Sequence, residues 1–246
     1  MRNKTLRMFA AILFFCGTLN AIAQKKDSPY FNIFQLPNPC IYLPAPPDTT
    51  STRFVNDIMQ YMWGKTLRNT PRGEQARREA VFDVDTMLKH FSKPFGYELS
   101  AETTPAIYQV IYRGFGTIHG GTSLAKAHYM RARPYMRFNE PTIVPEDEEE
   151  LRHNGSYPSG HTVVGWGMAL LLSEINPDKQ DEILTMGYEW GQSRVIAGFH
   201  WQSDVDAARL VASAVYARLH TSDAFLEDMR KARAEWAKIS GKNKKK

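Results

Sequence analysis

The chain has 246 residues, of which 43% are hydrophobic and 23% are charged, and its formal net charge at pH 7 is +5. This composition excludes a disordered or repetitive chain and suits one globular domain with a sizeable core. Much of the positive excess lies in a basic start and in the lysine-rich tail 240–246. The rest of the chain is nearly balanced in charge, so no nucleic-acid partner is predicted.

Residues 1–23 have the pattern of a secretory signal peptide. Basic residues precede a short apolar segment, and a small-residue cleavage site ends at Ala23. The segment is short for a membrane span, so a cleaved signal is favoured over an anchor. Cys16 would suit lipoprotein processing, but the large Phe15 before it argues against that. The sequence therefore predicts a periplasmic protein without stable membrane insertion.

Helical periodicity accounts for most of the mature chain. Segment 24–53 is rich in proline and is predicted to be an extended lead-in. No later stretch alternates with period two, so the prediction is an all-α, single-domain helical bundle over residues 54–239, followed by the basic tail. In its first helix Phe54, Met59 and Met62 share the face predicted to be inward. The predicted helices cover residues 54–62, 73–90, 100–115, 123–131, 162–172, 180–197, 204–219 and 224–239.

Two further features are assigned no chemistry. The acidic run 146–150 is interpreted as a solvated loop or a short helix. Cys40 has no partner for an intramolecular disulfide once the signal peptide is removed. No His, Cys, Asp and Glu residues have zinc-site spacing, and no glycine-rich nucleotide loop is found, so neither a metal nor a cofactor is predicted.

Polar residues collect at the ends of predicted helices. The loop 155–162 leads into a buried helix, whose first-turn N–H groups can hold an anion. Lys126 and Arg133 are two helical turns apart, so they can present two cations to the same anion. His200 and Asp204 have the spacing of one turn, which lets the carboxylate fix the tautomer of the imidazole. This makes His200 the candidate nucleophile.

These parts together match the needs of phosphoryl transfer. A transferring phosphoryl group requires cations on its oxygens, a nucleophile on one side and an acid on the leaving oxygen. Arg194 would complete the cationic clamp, and Ser159 supplies a hydroxyl. His161 has no carboxylate near it in sequence, so it is left as the general acid. Each residue alone is more often structural than catalytic.

The same residues form three blocks of fixed order and spacing. The blocks are Lys126 to Arg133-Pro134, then Pro158-Ser159-Gly160-His161, then Ser193-Arg194 with His200 and Asp204. With them, the chain resembles the phosphatidic-acid-phosphatase type 2 and vanadium-haloperoxidase superfamily. The sequence around the second block, the segment 43–47 and the stretch 125–131 are similar to bacterial class A non-specific acid phosphatases. This similarity spans about residues 40–235.

The resemblance implies a secreted, metal-independent acid phosphatase of the family's helical fold. It would hydrolyse phosphate monoesters, such as nucleotides and sugar phosphates, through a phosphohistidine. In that family pattern His200 is the nucleophile, Asp204 orients it and His161 is the general acid. The phosphate oxygens would be held by Lys126, Arg133, Ser159, Gly160 and Arg194.

Alternatives stay open at this point. Vanadate mimics phosphate, so a vanadate-dependent haloperoxidase would use the same blocks, and a catalytically silent phosphate-binding protein would keep the cradle alone. An integral lipid phosphatase is disfavoured, because no apolar run after the signal is long enough to cross a bilayer. Phosphotransfer to alcohols and a homo-oligomer are also left open. His119 and His153 match no block and could line the mouth of the pocket.

Overall fold

The structure is a computed structural model that describes residues 28–243. The signal peptide predicted for residues 1–23 lies outside the described residues, as does the end of the basic tail, 244–246. Residues 28–243 form helices and no strand, which confirms the all-α prediction. The α-helices are α1 (Pro39–Tyr42), α2 (Thr52–Leu67), α3 (Pro71–Arg78), α4 (Val84–Phe95), α5 (Pro105–Gly120), α6 (Ser123–Tyr129), α7 (Pro134–Phe138), α8 (Glu148–Arg152), α9 (Gly160–Ile175), α10 (Gln180–Ala197), α11 (Gln202–Leu219) and α12 (Asp223–Asn243).

Helix α9 is the central element of the bundle. It is apolar on almost every side, which is typical of a helix enclosed by others, and Val163, Met168 and Leu171 are fully buried. It packs on α10, α11 and α5. Ser159 caps it, because the Ser159 Oγ accepts a hydrogen bond from the backbone N–H of Thr162 at 3.3 Å. The central helix therefore begins at the loop predicted to hold an anion.

Helices α9 and α10 approach each other closely through small residues. A Cβ added at Gly187 of α10 would lie 2.4 Å from the Cβ of Ala169 in α9. A Cβ added at Gly165 would lie 2.6 Å from the ring of Trp190, which is fully buried. This contact leaves no space for a larger side chain and fixes the two helices side by side.

The inward face of α2 differs from the predicted one. Phe54 is buried as predicted, but Met59 is 63% exposed and Met62 is 52% exposed. Asp57 and Tyr61 lie on the buried face instead. Hydrophobicity could not reveal this face, since one of its members is a carboxylate that is buried only because other residues hydrogen-bond to it.

The single helix predicted over residues 73–90 is wrong, because two helices stand there. Helix α3 ends at Arg78, and α4 begins at Val84. Asp83 caps the second helix, with its Oδ1 accepting from the N–H of Thr86 at 2.8 Å. Residues 79–83 therefore form a non-helical connection between the two helices.

The remaining helices lie close to their predicted ranges. Helix α10 has the predicted bounds, and α5 begins later than predicted, at Pro105, since proline is favoured in a first turn. The acidic run forms a 3-10 turn, Pro145–Asp147, followed by α8. None of the helices within residues 28–243 combines the length and the apolar character needed to span a membrane.

Substitution of Gly187 by alanine tests the contact of α9 with α10. Because the new methyl group would overlap Ala169, we expect Gly187→Ala to lower the free energy of unfolding by about 1–3 kcal/mol. Urea denaturation followed by circular dichroism measures this change. Gly241→Ala is the matched control, since a Cβ there meets no atom within 4 Å and should cause no loss. Equal stability of both variants would contradict the close contact.

Candidate active site

A cavity of about 530 Å³ lies at the N-terminal end of α9. Its inner wall contains five of the predicted site residues: Lys126, Arg133, Gly160, His161 and His200. The other predicted residues, Ser159, Arg194 and Asp204, are fully buried. The rest of the wall consists of Arg77, Ala80, Val81, Phe82, His119, Val144, Glu146, Asp147, Glu150, Leu151 and Asn154.

A tight turn after α10 places His200 beside Arg194. Gly198 ends α10 with φ +93°, a left-handed conformation that glycine adopts without strain. The chain then folds back, so that the N–H groups of Phe199 and His200 both donate to the carbonyl of Arg194 at 3.1 and 3.3 Å. Helix α11 begins at Gln202, directly after this turn. The third sequence block is thus one compact corner.

Hydrogen bonds at both ring nitrogens define the tautomer of His200. The guanidinium NH1 of Arg133 lies 3.0 Å from Nε2 and can only donate, so Nε2 carries the lone pair. Nδ1 then carries the proton and donates to Oδ2 of Asp204 at 3.3 Å. Burial, followed by the charges of Arg133 and Lys126, lowers the pKa of His200 well below its usual value. His200 is therefore neutral, with a basic nitrogen facing the cations.

Asp204 joins the ends of three elements. It lies in the first turn of α11, where its Oδ2 also accepts from the N–H of Trp201 at 2.9 Å. Its backbone carbonyl accepts from the N–H of Ser159, the cap of α9, at 3.1 Å. Its Oδ1 accepts from NH1 of Arg131 at 2.5 Å. One buried carboxylate thus sets the position of His200 relative to the anion loop.

Arg131 and Asp57 also belong to the site, although no sequence motif singled them out. The Arg131 side chain is 10% exposed, and its NH2 donates to Oδ2 of Asp57 at 2.7 Å. Asp57 also accepts from the N–H of Ser203 at 2.8 Å, which ties α2 to the start of α11. The available signals were an aspartate in register with Phe54 and Tyr61 on α2, and an arginine beside the first block.

Lys126 and Arg133 hold their charges in buried positions. The Lys126 ammonium donates to the carbonyl of Gly155 at 2.6 Å, and burial lowers its pKa to about 7, with Arg133 adding to the effect. Arg133 donates through Nε to the carbonyl of Leu151 at 2.9 Å, and burial lowers its pKa to about 10. Backbone carbonyls thus orient both cations towards His200.

Arg194 is the least satisfied polar group of the site. Its side chain is fully buried, and Nε, NH1 and NH2 make no hydrogen bond within residues 28–243. The guanidinium carbon lies 4.4 Å from the ring centroid of Phe199, which fixes its plane. Burial lowers its pKa to about 9, so Arg194 remains a cation in acid. Unused donors of this kind in a buried cation suit an oxyanion.

The second block adds an acid–base group and two neutral donors. Nε2 of His161 lies 2.8 Å from the carbonyl of Ala80, which only accepts, so Nδ1 is left for a ligand. Burial and the charge of Arg194 lower the pKa of His161 well below its usual value. Ser159 Oγ accepts from the hydroxyl of Thr162, which leaves its own proton to donate. Gly160 begins α9, and its N–H has no partner within the helix.

The two extra histidines separate in space. His119 lines the cavity, and burial lowers its pKa. His153 is 76% exposed beside Glu149 and lies outside the lining. The acidic run is also more than a solvated segment, because three of its side chains belong to the cavity wall. No group of three or more His, Cys, Asp or Glu side chains within residues 28–243 is arranged to hold a metal ion.

The chain is similar to known proteins over most of its length. Residues 106–225 match the PAP2 superfamily. The chain is 44% identical to a non-specific acid phosphatase of Providencia stuartii, over 89% of each protein. It is 38% identical to the non-specific acid phosphatase of Salmonella typhimurium, over 96% of this chain and 93% of that protein. An acid phosphatase of Zymomonas mobilis is 34% identical, over 87% and 81% respectively.

Removal of the Arg131 charge tests its part in the buried network. Arg131→Met leaves the carboxylates of Asp57 and Asp204 buried without their cation, and we expect it to lower the free energy of unfolding by about 3–5 kcal/mol. The measurement is urea denaturation at neutral pH. Arg230→Met is the control, because Arg230 is 69% exposed and its ion pair with Glu227 is screened by water. Similar losses in the two variants would refute the network's importance.

Proposed function

Since the chain belongs to the PAP2 superfamily and to its non-specific acid phosphatases, we propose that it hydrolyses phosphate monoesters through a phosphohistidine on His200. Phosphatase activity follows from family membership. We propose, in addition, the covalent route, the roles of single residues, the substrates and the location.

The observation that carries the proposal is the pairing of Arg194 with His200. A buried guanidinium with every donor unused lies at the same corner as an imidazole with its lone pair on Nε2. A phosphoryl group between them would satisfy Arg194 and meet the nucleophile at once. Lys126 and Arg133 would bind further oxygens, and the hydroxyl of Ser159 and the N–H of Gly160 would complete the cradle.

In the first step Nε2 of His200 attacks phosphorus. For this the Arg133 N–H must move from Nε2 to a phosphate oxygen, which it does without leaving the cradle. The bond between phosphorus and the ester oxygen breaks, and that oxygen takes a proton from Nδ1 of His161. Asp204 accepts the Nδ1–H of His200 throughout and offsets the positive charge that the phosphorylated ring gains.

In the second step a water molecule attacks the phosphohistidine. His161, now neutral, accepts the proton of the water, the bond from phosphorus to Nε2 breaks, and inorganic phosphate is released. The same step with an alcohol in place of water would transfer the phosphoryl group to that alcohol. Both acceptors need only reach the space beside His161.

Acid favours the first step. His161 must be protonated to donate, but burial and Arg194 lower its pKa in the free protein. A bound phosphate dianion offsets the charge of Arg194 and raises the pKa of His161 again. Low pH adds to this effect by supplying the proton, so we infer an enzyme most active in acid.

The proposed substrates are small phosphate monoesters, such as nucleotides and sugar phosphates. The open cavity supports this, because its volume of about 530 Å³ exceeds what a phosphate needs. We further infer a periplasmic location, from the signal pattern of residues 1–23 and from bacterial relatives.

Release of phosphate from p-nitrophenyl phosphate at acidic pH, in excess EDTA, tests the proposed route. The wild-type protein should turn over, and His200→Ala should lose roughly 10³-fold or more of kcat/KM, because the covalent path is gone. His128→Ala is the matched control, since His128 is exposed and outside the cavity. Rapid quenching with labelled substrate should place the label on His200. Equal turnover in His200→Ala would exclude this nucleophile.

The binding of sulfate should depend on the charge of Lys126. Sulfate stays a dianion over pH 5.5–8, whereas Lys126, with its pKa lowered to about 7, loses its proton in that range. Above about pH 7 the dissociation constant should rise by up to about tenfold per pH unit, in addition to any change that protonation of His161 causes in acid. Lys126→Arg keeps its charge and should remove this rise. Calorimetric titration of both proteins measures the dissociation constants. The same rise in Lys126→Arg would contradict the conclusion that loss of the Lys126 proton weakens sulfate binding.

A further inference from the structure

The outer cavity, beyond the cationic cradle, has two chemically different parts, and it is also lined by Arg77, whose NH1 donates to the carbonyl of Ile143. One part is apolar and contains Val81 and Phe82, whose ring centroid lies 4.6 Å from that of His161 and 5.1 Å from that of His119. It comes from the break between α3 and α4. The other part is acidic and is called here the acidic rim: it consists of Glu146, Asp147 and Glu150.

The carboxylates of the acidic rim are not engaged by the fold. Glu146 and Glu150 are exposed and Asp147 is half-buried, and none of the three makes a salt bridge or a side-chain hydrogen bond within residues 28–243. Their neighbours behave differently. Glu148 Oε1 accepts from the N–H of Thr142 at 2.7 Å, and Glu149 pairs with residues of its own helix.

The acidic rim and the cradle open into the same cavity. The unused donors of the buried Arg194 guanidinium indicate an anion site at the cradle. This indication does not depend on the acidic rim. Arg194 also interacts with Asp147. Burial raises the pKa of Asp147 above its ordinary value, and the charge of Arg194 offsets part of this rise. A phosphoryl group in the cradle would have its ester oxygen beside His161, so the leaving group would extend into the outer cavity.

We propose that the acidic rim selects substrates by the charge of the leaving group, so that neutral or cationic groups are accepted and anionic groups are disfavoured. This inference rests on the proposed function, since it places the phosphoryl group in the cradle. The three carboxylates and a leaving group within the cavity are close enough to interact at low salt, where the Debye length is about 30 Å at 0.01 M. The dianionic phosphoryl group itself is compensated by the buried cations.

The test uses aryl phosphates that differ only in remote charge. The phosphates of 4-propylphenol, 4-(2-aminoethyl)phenol and 3-(4-hydroxyphenyl)propanoate have similar leaving oxygens and offer the same ring to Phe82. The kcat/KM of each is measured at pH 6, at low and at high ionic strength. The variants are Glu146→Gln/Glu150→Gln and, as a matched control from the same run, Glu149→Gln.

At low salt the wild-type protein should prefer the neutral substrate to the anionic one by roughly tenfold. The double variant should raise kcat/KM for the anionic substrate about fivefold and leave the neutral one unchanged. In the wild-type protein, high salt should raise kcat/KM for the anionic substrate. In the double variant, high salt should change this kcat/KM little. Glu149→Gln should behave as wild type.

Several outcomes would overturn the proposal. If the ratio of kcat/KM for the anionic substrate to kcat/KM for the neutral substrate is the same in the double variant and in the wild-type protein, the acidic rim does not select substrates. The same gain in log kcat/KM per removed charge in Glu149→Gln would show that net charge alone matters. If this ratio of kcat/KM values in the wild-type protein does not change with salt, the proposal is also rejected, whatever the double variant does. Failure of the wild-type protein to release phosphate from the neutral substrate would instead contradict the proposed function.

Discussion

The buried ion pair between Arg131 and Asp204 holds the candidate site together. Through Asp204 it connects to His200, to the first turn of α11 and to the cap of α9. Through the other arm of Arg131 it connects to Asp57 on α2. A buried pair of charges is stable only when each group is fully hydrogen-bonded, and here the partners are spread over separate helices. The ion pair therefore stabilises the relative placement of these helices.

The cradle concentrates positive charge on buried side chains. Lys126, Arg133 and Arg194 each have a lowered pKa, and burial is the first cause in every case. Asp204 acts against this for Lys126 and Arg133, but its own charge is shared with Arg131. The free protein therefore has an unbalanced field, which a phosphate dianion would relieve. Affinity for the anion and the instability of the empty cradle have the same physical origin.

Sequence alone predicted the parts of the molecule that depend on local pattern. Helices α9 and α10 were found because long apolar or periodic runs specify them, and the site residues were proposed because their spacing is fixed within each block. The break between α3 and α4 was missed, since the residues before Asp83 are compatible with a helix. Asp57, Arg131 and the acidic rim were missed for another reason: their roles arise from contacts between segments distant in sequence. Such contacts leave no periodic trace.

The hydrogen bond from His161 to the carbonyl of Ala80 has a consequence for how the site tolerates change. The acceptor is a backbone atom, so the tautomer of the proposed acid depends on the path of residues 79–83, which the buried side chain of Glu79 and the capping side chain of Asp83 hold in place. Ala80 is itself buried, so only a side chain of similar size keeps that path. A residue gained or lost in the segment, in contrast, would shift the carbonyl and release the ring. The number of residues in this turn is therefore as important for the orientation of the His161 ring as their identity.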